Sequence, residues 1–495
     1  MKRVLLAGVG ALVAASALLY WTRPERKSTV PVLTWVTTDD PVKRETAALF
    51  RTWRAAQGLP PCELRIDHAS GMSSSATAPP KLLIQGIVGL GGDLMDVTFL
   101  DLFQKTGMLT DLTAAAQRGG FGVDKTYPAI RGDFLIGGRQ YGFPRNVDVE
   151  MCWANRDTFK RYGIPEPAAR WDWNQFEQLG RRFVAAANPP GSRHRIFFLS
   201  SLEPVVLRRG LGLATFNETM TRCMLDDPRN VEVMQRLYRW TVEERLMPTE
   251  TEQRELASAD TTELNGAYSG LASGQFAMIY SYLWARIEFR LMGNLNLKVV
   301  EPFNSGFPNT QVGGGSVTVF ARSRHPELAF DFLRFLTSEP FNLLVAESGD
   351  GMPPVPAYAN TDAFLHPPGH PGERGAPGAF LKAATEIGIA ASKSPFVLPS
   401  IVQRVDVEEM EAMLADRLSP AEAARVTAQR INDEIAVTLR EDAALAQLYA
   451  ARQETQRQID ARRAAGRPVP AGWISDPFLL AYYRAHGWLE KEVAP

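Results

Sequence analysis

Short apolar runs and stretches of helical spacing alternate along the first hundred residues. Val30–Val36 (VPVLTWV) is β-rich and reads as a strand. Asp40-Pro41 then opens a helical pattern that continues through Arg54, with proline placed near the first turn. Leu64–Asp67 predicts a second strand, Lys81–Val88 a short helix, and Met95–Phe99 a third strand behind the Gly91-Gly92-Asp93 turn. Ser70–Pro80, rich in Ser, Ala and Pro, predicts a loop. Strands alternating with helices indicate an α/β sheet.

A second block, about Val147–Leu297, is mostly helical, with strand candidates at Val149–Trp153 and Phe276–Ser281. Glu327–Leu336 is a helix whose apolar positions are Leu328, Phe332, Leu333 and Phe335. Ala357–Ala379 is dense in Pro and Gly and predicts a surface loop. Pro420 starts a further helix with Glu422 in its first turn. Arg440–Ala465 predicts a charged helix exposed on one side, which Pro468-Val469-Pro470 ends. The cluster Phe478, Leu479, Leu480, Tyr482, Tyr483 and Trp488 then provides an apolar surface for docking on the body.

The N-terminus departs from this pattern. Lys2-Arg3 precedes Val4–Trp21, 18 residues without charge or proline. As a helix this run reaches roughly 27 Å, close to a hydrocarbon core of ~30 Å. Ala15-Ser16-Ala17 offers a cleavage site, but cutting there leaves a greasy Leu18–Trp21 start. Residues 1–27 are therefore expected to be either a signal peptide or a retained membrane anchor, with the body exported. The remaining chain is long enough for two domains, and the 54 basic and 55 acidic residues of the whole sequence give no general attraction to nucleic acid. Cys62, Cys152 and Cys223 lack metal or redox spacing, so free thiols are expected, with one disulfide left open.

No H-E-x-x-H, G-x-S-x-G or P-loop pattern occurs. His366 and His370 lie in the Pro/Gly segment rather than on a helix. Asp148 and Glu150, two apart on an extended segment, share a face at about 6–7 Å, a spacing compatible with a glycosidase pair but also with ordinary surface carboxylates. No cofactor or metal is expected.

The stretch Gly137–Phe176 contains Tyr141-Gly142-Phe143-Pro144, Trp153-Ala154-Asn155, Gly163-Ile164-Pro165 and Asp172-Trp173-Asn174-Gln175-Phe176 in order. In order and spacing it resembles the family-1 extracellular solute-binding proteins of ABC transporters, the maltose-binding-protein-like group. Gly107–Leu112, Ala267–Met278, Val312–Ala321 and Glu327–Leu336 match further family patterns, so the resemblance extends over about Val30–Asn432 at scattered points. It implies a two-lobed periplasmic-binding-protein fold of type II, with lobes joined by hinge crossings and closing on a ligand. Lobe I is expected at 30–143 and 313–350, lobe II at 145–311 and 352–437, and a helical extension at 438–495. The implied function is capture of a mono- or oligosaccharide, without turnover, by a monomeric receptor for ABC permease subunits. A secreted carbohydrate-active enzyme and an anchored sensor or scaffold stand as alternatives.

Sugar recognition needs aromatic faces and hydroxyl-bonding polar groups. Trp35 ends the first strand and is either a cleft residue or a core residue. Asp39 follows in the next loop with Thr37 and Thr38. Asp96 is a ligand carboxylate or a turn carboxylate, and Asp101 a cleft residue or an N-cap. Asn146 and Asp148 fall at the first hinge crossing that the resemblance implies, with Arg145 beside them. Tyr280 and Trp284 follow a strand where sugar binders of the family present stacking aromatics, and Trp35 and Trp284 are expected to face one another. Gly314, within Gly313–Ser316, is expected in an exposed backbone turn that offers N–H groups or serves as a tight hinge. Trp173 is assigned to the core, and Asp172 with Gln175 to a capping box.

Overall fold

The computed structural model describes residues 28–68, 78–87, 92–97, 100–192, 194–259 and 266–491. The expected export segment lies outside them, as does most of the Ser70–Pro80 loop. Nine strands form one sheet in the order β2 (Glu63–His68), β1 (Val32–Thr37), β3 (Leu94–Val97), β10 (Thr310–Val319), β6 (Gly142–Asn155), β8 (Phe276–Tyr282) and β7 (Phe197–Leu199), with β9 (Leu297–Val300) on β6 and β11 (Gly388–Ile389) on β10. A short hairpin, β4 (Leu135–Ile136) with β5 (Arg139–Gln140), turns on Gly137 and Gly138, both at positive φ.

Strand direction changes inside this sheet. β1 pairs in parallel with β2 and β3, and β7 in parallel with β8, as βαβ crossovers require. Between these edges β3, β10, β6 and β8 are antiparallel. β10 and β6 are the long members and serve both halves. The first part of β6 pairs with β10, whose end pairs with β3; the last part of β6 pairs with β8 and β9. A third crossing lies beside them, where Val147 and Met352 exchange two backbone hydrogen bonds of 2.9 and 2.7 Å.

Separate cores flank these crossings. In lobe I, Trp35, Phe50, Phe332 and Phe335 pack around β1, and Val36, Met95 and Phe103 form a second layer. In lobe II, Phe176 stacks on Phe303 at 4.0 Å, between Trp171 and Trp240. The helix carrying Phe176, Trp173–Ala187, begins with the capping box of Asp172 and Gln175. Trp173 is buried there, with the Arg236 guanidinium 4.8 Å from its ring. All three cysteines are free and buried, and burial pushes the Cys223 thiol up to about 12.

Two expectations about irregular segments are corrected. Ala357–Ala379 is not simply a surface loop: Pro356–Asn360, Asp362–Leu365 and Pro371–Glu373 form short helical turns, and Phe364 is fully buried. Prolines there begin turns rather than interrupt them. Gly313–Ser316 is not a turn but part of β10, with a bulge between Gly315 and Ser316.

After the helix Pro420–Glu441, capped by Ser419 and Glu422, the chain forms Ala443–Ala464, of which Ile459 alone is buried. The final helix, Pro477–Ala485, returns to the body. Phe478 and Tyr482 meet Phe307 with ring centroids at 5.4 and 5.0 Å, and the Tyr483 hydroxyl donates to Glu218. Trp488 packs on Tyr482 and Tyr483 and stays 44% exposed.

Candidate functional site

The strand register builds one polar face beside the crossings. Along β6, Val147, Val149 and Met151 point into the core, so alternation sends Asp148 and Glu150 to the opposite side. Glu150 stands opposite Tyr282, Cys152 opposite Tyr280, and Asp148 opposite Gly313. Directly paired residues share a face. Two carboxylates therefore lie between a row of tyrosines on β8 and a strand position with no side chain on β10.

Trp284 completes the aromatic row. It stands just beyond β8, before the helix Ala285–Leu291, and its backbone N–H donates to Asp148 at 3.4 Å. Its ring lies nearly parallel to that of Tyr282, at 6.5 Å and 17°, and meets Tyr268 edge-on at 5.7 Å. Tyr280, Tyr282, Trp284, Asp148 and Glu150 are all half-buried: crowded by protein, with some surface left open. Burial raises Asp148 to about 8; the Asp350 charge adds to this and Arg145 opposes it. Burial likewise raises Glu150 to about 7, against hydrogen bonds from the Tyr282 and Tyr280 phenols.

The face bordering lobe I is organised differently. Asp350 accepts from Lys43 Nζ at 3.1 Å, Arg145 Nη1 at 2.9 Å and Asn146 Nδ2 at 3.3 Å. Burial disfavours its charge, but attraction by Lys43 and Arg145 prevails and holds its pKa below the usual value. Arg145 Nε also lies 3.3 Å from Asp96. Here cations and carboxylates satisfy one another.

The nine predicted site residues consequently separate. Asp148, Tyr280 and Trp284 come together on the polar face. Trp35 does not oppose Trp284: it is 1% exposed, packs on Phe332 at 5.1 Å, and donates its Nε1–H to Asp96 at 2.8 Å. Neither ring face is available for stacking. Asp96 is also committed, accepting from Thr37 at 2.6 Å as well as pairing with Arg145. Asn146 is buried, donates to the Asp350 carbonyl at 2.8 Å, and accepts from the Gly315 N–H at 3.2 Å. Gly314 is opposite Val147, and a Cβ there would lie 2.8 Å from the Asn146 carbonyl, so close strand approach accounts for it. Asp39 is exposed and pairs with Arg44 at 2.7 Å. Asp101 lies in the first turn of the helix Leu100–Lys105, raised by burial against the pull of Lys393 and Lys105. Lys105 also donates to the Pro395 carbonyl at 3.3 Å, so Asp101 faces the 393–395 segment.

Sequence reasoning places Tyr282 in the same stretch as Tyr280 and Trp284 without selecting it as a site residue, and treats Glu150 only as half of a hydrolytic pair; their alternation with Tyr280 and Asp148 is the signal that joins them to this face. Two cavities of about 630 and 390 Å³ lie elsewhere, one between Glu218 and the Ala443–Ala464 helix and one beside Arg290 and His370. Among the described residues no group of His, Cys, Asp and Glu is arranged to hold a metal, and no helix is long and apolar enough to cross a membrane.

Comparison with known proteins gives a consistent picture. The sequence model of the bacterial extracellular solute-binding protein family matches residues 69–342. Comparison with curated proteins gives no match. Among solved structures, the chain is similar to an ABC substrate-binding protein from Listeria monocytogenes in complex with cycloalternan (17% identity, TM-score 0.67, covering 82% of this chain and 99% of that one). It is also similar to an ABC transporter solute-binding protein from Thermotoga lettingae bound with alpha-D-tagatose (15%, 0.66, 82% and 100%). A third similar structure is maltose-bound MalE3 of T. maritima (16%, 0.61, 81% and 99%). Their shared fold is the two-lobed binding-protein architecture seen here.

Proposed function

The chain belongs to the bacterial extracellular solute-binding protein family, and from that membership we propose that it is the carbohydrate-binding receptor of an ABC importer. Family membership assigns the body to the outside of the cytoplasm. The observation that carries the proposal is the polar face beside the strand crossings. It offers stacking rings in Tyr280, Tyr282 and Trp284, and hydroxyl-bonding carboxylates in Asp148 and Glu150. The similar structures bound to cycloalternan, alpha-D-tagatose and maltose support sugar as the ligand class.

The chain acts as a monomer whose lobes, 30–143 with 313–350 and 145–311 with 352–437, close around the crossings when ligand fills the cleft. Permease subunits then read the closed form. Residues 1–27 export the protein or hold it at the membrane, and the helical segment 438–495 braces lobe II. The ligand leaves unchanged.

A thermal-shift screen of mono- and oligosaccharides, followed by calorimetry on each hit, tests the proposal. Bound ligand is expected to raise apparent stability by roughly 2.7 kcal/mol at 100 times Kd and to be recovered intact. A cleaved sugar would instead favour a secreted glycosidase using Asp148 and Glu150.

A further inference from the structure

We propose that the ligand of this cleft is a carbohydrate carrying a protonated amine, seated between the Asp148 and Glu150 carboxylates and the rings of Tyr280, Tyr282 and Trp284. The inference deepens the carbohydrate-receptor proposal and rests on it.

Charge pairing around the face is uneven. Arg145 is engaged by Asp350 at 2.9 Å and Asp96 at 3.3 Å. Arg286, which faces Asp148 from the helix after Trp284, bonds Glu373 at 3.2 Å. Arg208, the cation near Glu203, forms a two-pronged pair with Asp406, both contacts at 2.7 Å. Arg209, facing Glu150, is directed onto Asn309 and the carbonyls of Ile389 and Thr310. Among the described residues, no lysine or arginine forms an ion pair with Asp148, Glu150 or Glu203, although other acids around the crossings do so. Asp148 and Glu150 thus stand on this face without an ion-pair partner, and Arg209 is the nearby guanidinium left without a carboxylate partner.

Space and ring placement favour a cation there. Gly313, opposite Asp148, has neither a positive φ nor a neighbour within 4 Å of an added Cβ. Backbone strain and packing therefore do not explain this glycine; an open volume beside the carboxylate remains. The aromatic row borders the other side. A ring face attracts an ammonium group through its quadrupole, and a desolvated carboxylate attracts it through charge. A neutral hydroxyl can hydrogen-bond the same carboxylates but cannot offset their charge. Their raised proton affinity comes from crowding by protein, which outweighs the pull of Arg145 and Arg286 on Asp148 and of Arg209 on Glu150.

Matched sugars that differ in one group test the inference. Calorimetry on the full chain at about pH 5.5, where the sugar amines already carry their protons, would compare glucosamine with glucose, galactosamine with galactose, and the free-amine form of chitobiose with cellobiose and N,N′-diacetylchitobiose; maltose serves as a further neutral probe. In at least one matched set the amine is expected to bind tenfold or more tightly. Measured in two buffers of different ionisation enthalpy, its binding should release protons as Asp148 and Glu150 become carboxylates. Asp350, Arg145 and Arg286 face Asp148, while Glu203, Arg209, Cys152 and the two tyrosines face Glu150; these groups set the background for that release. Glu150→Gln and Asp148→Asn, checked for an unchanged far-ultraviolet spectrum, should weaken the amine more than its neutral counterpart. Equal or tighter binding of the neutral sugar, or amine binding without proton release, overturns the inference and leaves the receptor proposal standing. Binding by no member of the panel overturns both.

Discussion

Trp35 and Trp284 each stand near the end of a strand, one in each lobe, and the lobes use them in opposite ways. In lobe I the indole is driven into the core by Phe332, and its N–H is taken by Asp96. Asp96, Arg145, Asp350 and Lys43 then form a connected set in which each charge has an opposite one. In lobe II the indole is half-buried beside Tyr282, and the adjacent carboxylates have no cation paired to them. Satisfied buried charges hold a structure in one arrangement, whereas unsatisfied groups are places where a ligand gains affinity. We propose on this contrast that the lobe I edge provides mechanical continuity and the lobe II face the ligand chemistry.

The severest way to break this contrast is to remove the centre of the satisfied set. Asp350→Ala leaves Lys43 and Arg145 facing each other without their anion. Losing one partner of a buried pair costs about 3–5 kcal/mol, so urea unfolding should show a loss of that order. Trp35→Ala should cost a similar ~3–5 kcal/mol through the cavity it opens. If either variant kept full stability while losing ligand, the assignment of the two faces would be reversed.

Trp284→Ala should behave in the opposite sense. The ring is half-buried, so the fold should survive, while ligand affinity drops about tenfold, or ~1.4 kcal/mol, by calorimetry. An unchanged affinity would remove the aromatic row from the site.

A further effect separates the faces by pH. Asp350 has a lowered pKa in the folded state, so its contribution is present above the unfolded value near 3.8 and is lost as pH falls through the folded one. Asp148 is raised to about 8, so the native state holds a proton that the unfolded state releases above about 3.8. Its effect is therefore a loss of stability as pH rises from about 4 to about 8. Melting temperatures of the ligand-free protein across that range should decline less steeply in Asp148→Asn than in the native chain. The smallest effect is expected at Asp39. Its pair with Arg44 is exposed, so Asp39→Asn should leave both melting temperature and affinity unchanged. A measurable loss of affinity would extend the ligand face to lobe I.

Local chemistry was legible in the sequence where neighbours along the chain decide it. The Asp172–Gln175 box begins its helix as the residues predict, and Asp40-Pro41 opens Pro41–Ala56 with the Asp40 side chain capping Lys43 N–H. Sites made by distant segments were not legible. Arg145 and Asp350 are 205 residues apart, so nothing near either one announces that Asp350 will take up the Arg145 side chain. Three successive glycines suggest a turn, yet the approach of β6 makes Gly314 a strand residue, because a Cβ would strike the Asn146 carbonyl.

The sequence by itself determined the alternation of strands and helices, the caps, the family pattern from Tyr141 to Phe176, and the pairing of acid with apolar residue along β6. Those features depend on side-chain periodicity and on contacts a few residues long. Only the tertiary structure decided which tryptophan is core and which borders the cleft. Both sit near strand ends with similar local patterns, and their fates are fixed by what packs on them: Phe332 closes over Trp35, while the register of β6, β8 and β10 leaves Trp284 at the edge of an open volume beside Asp148.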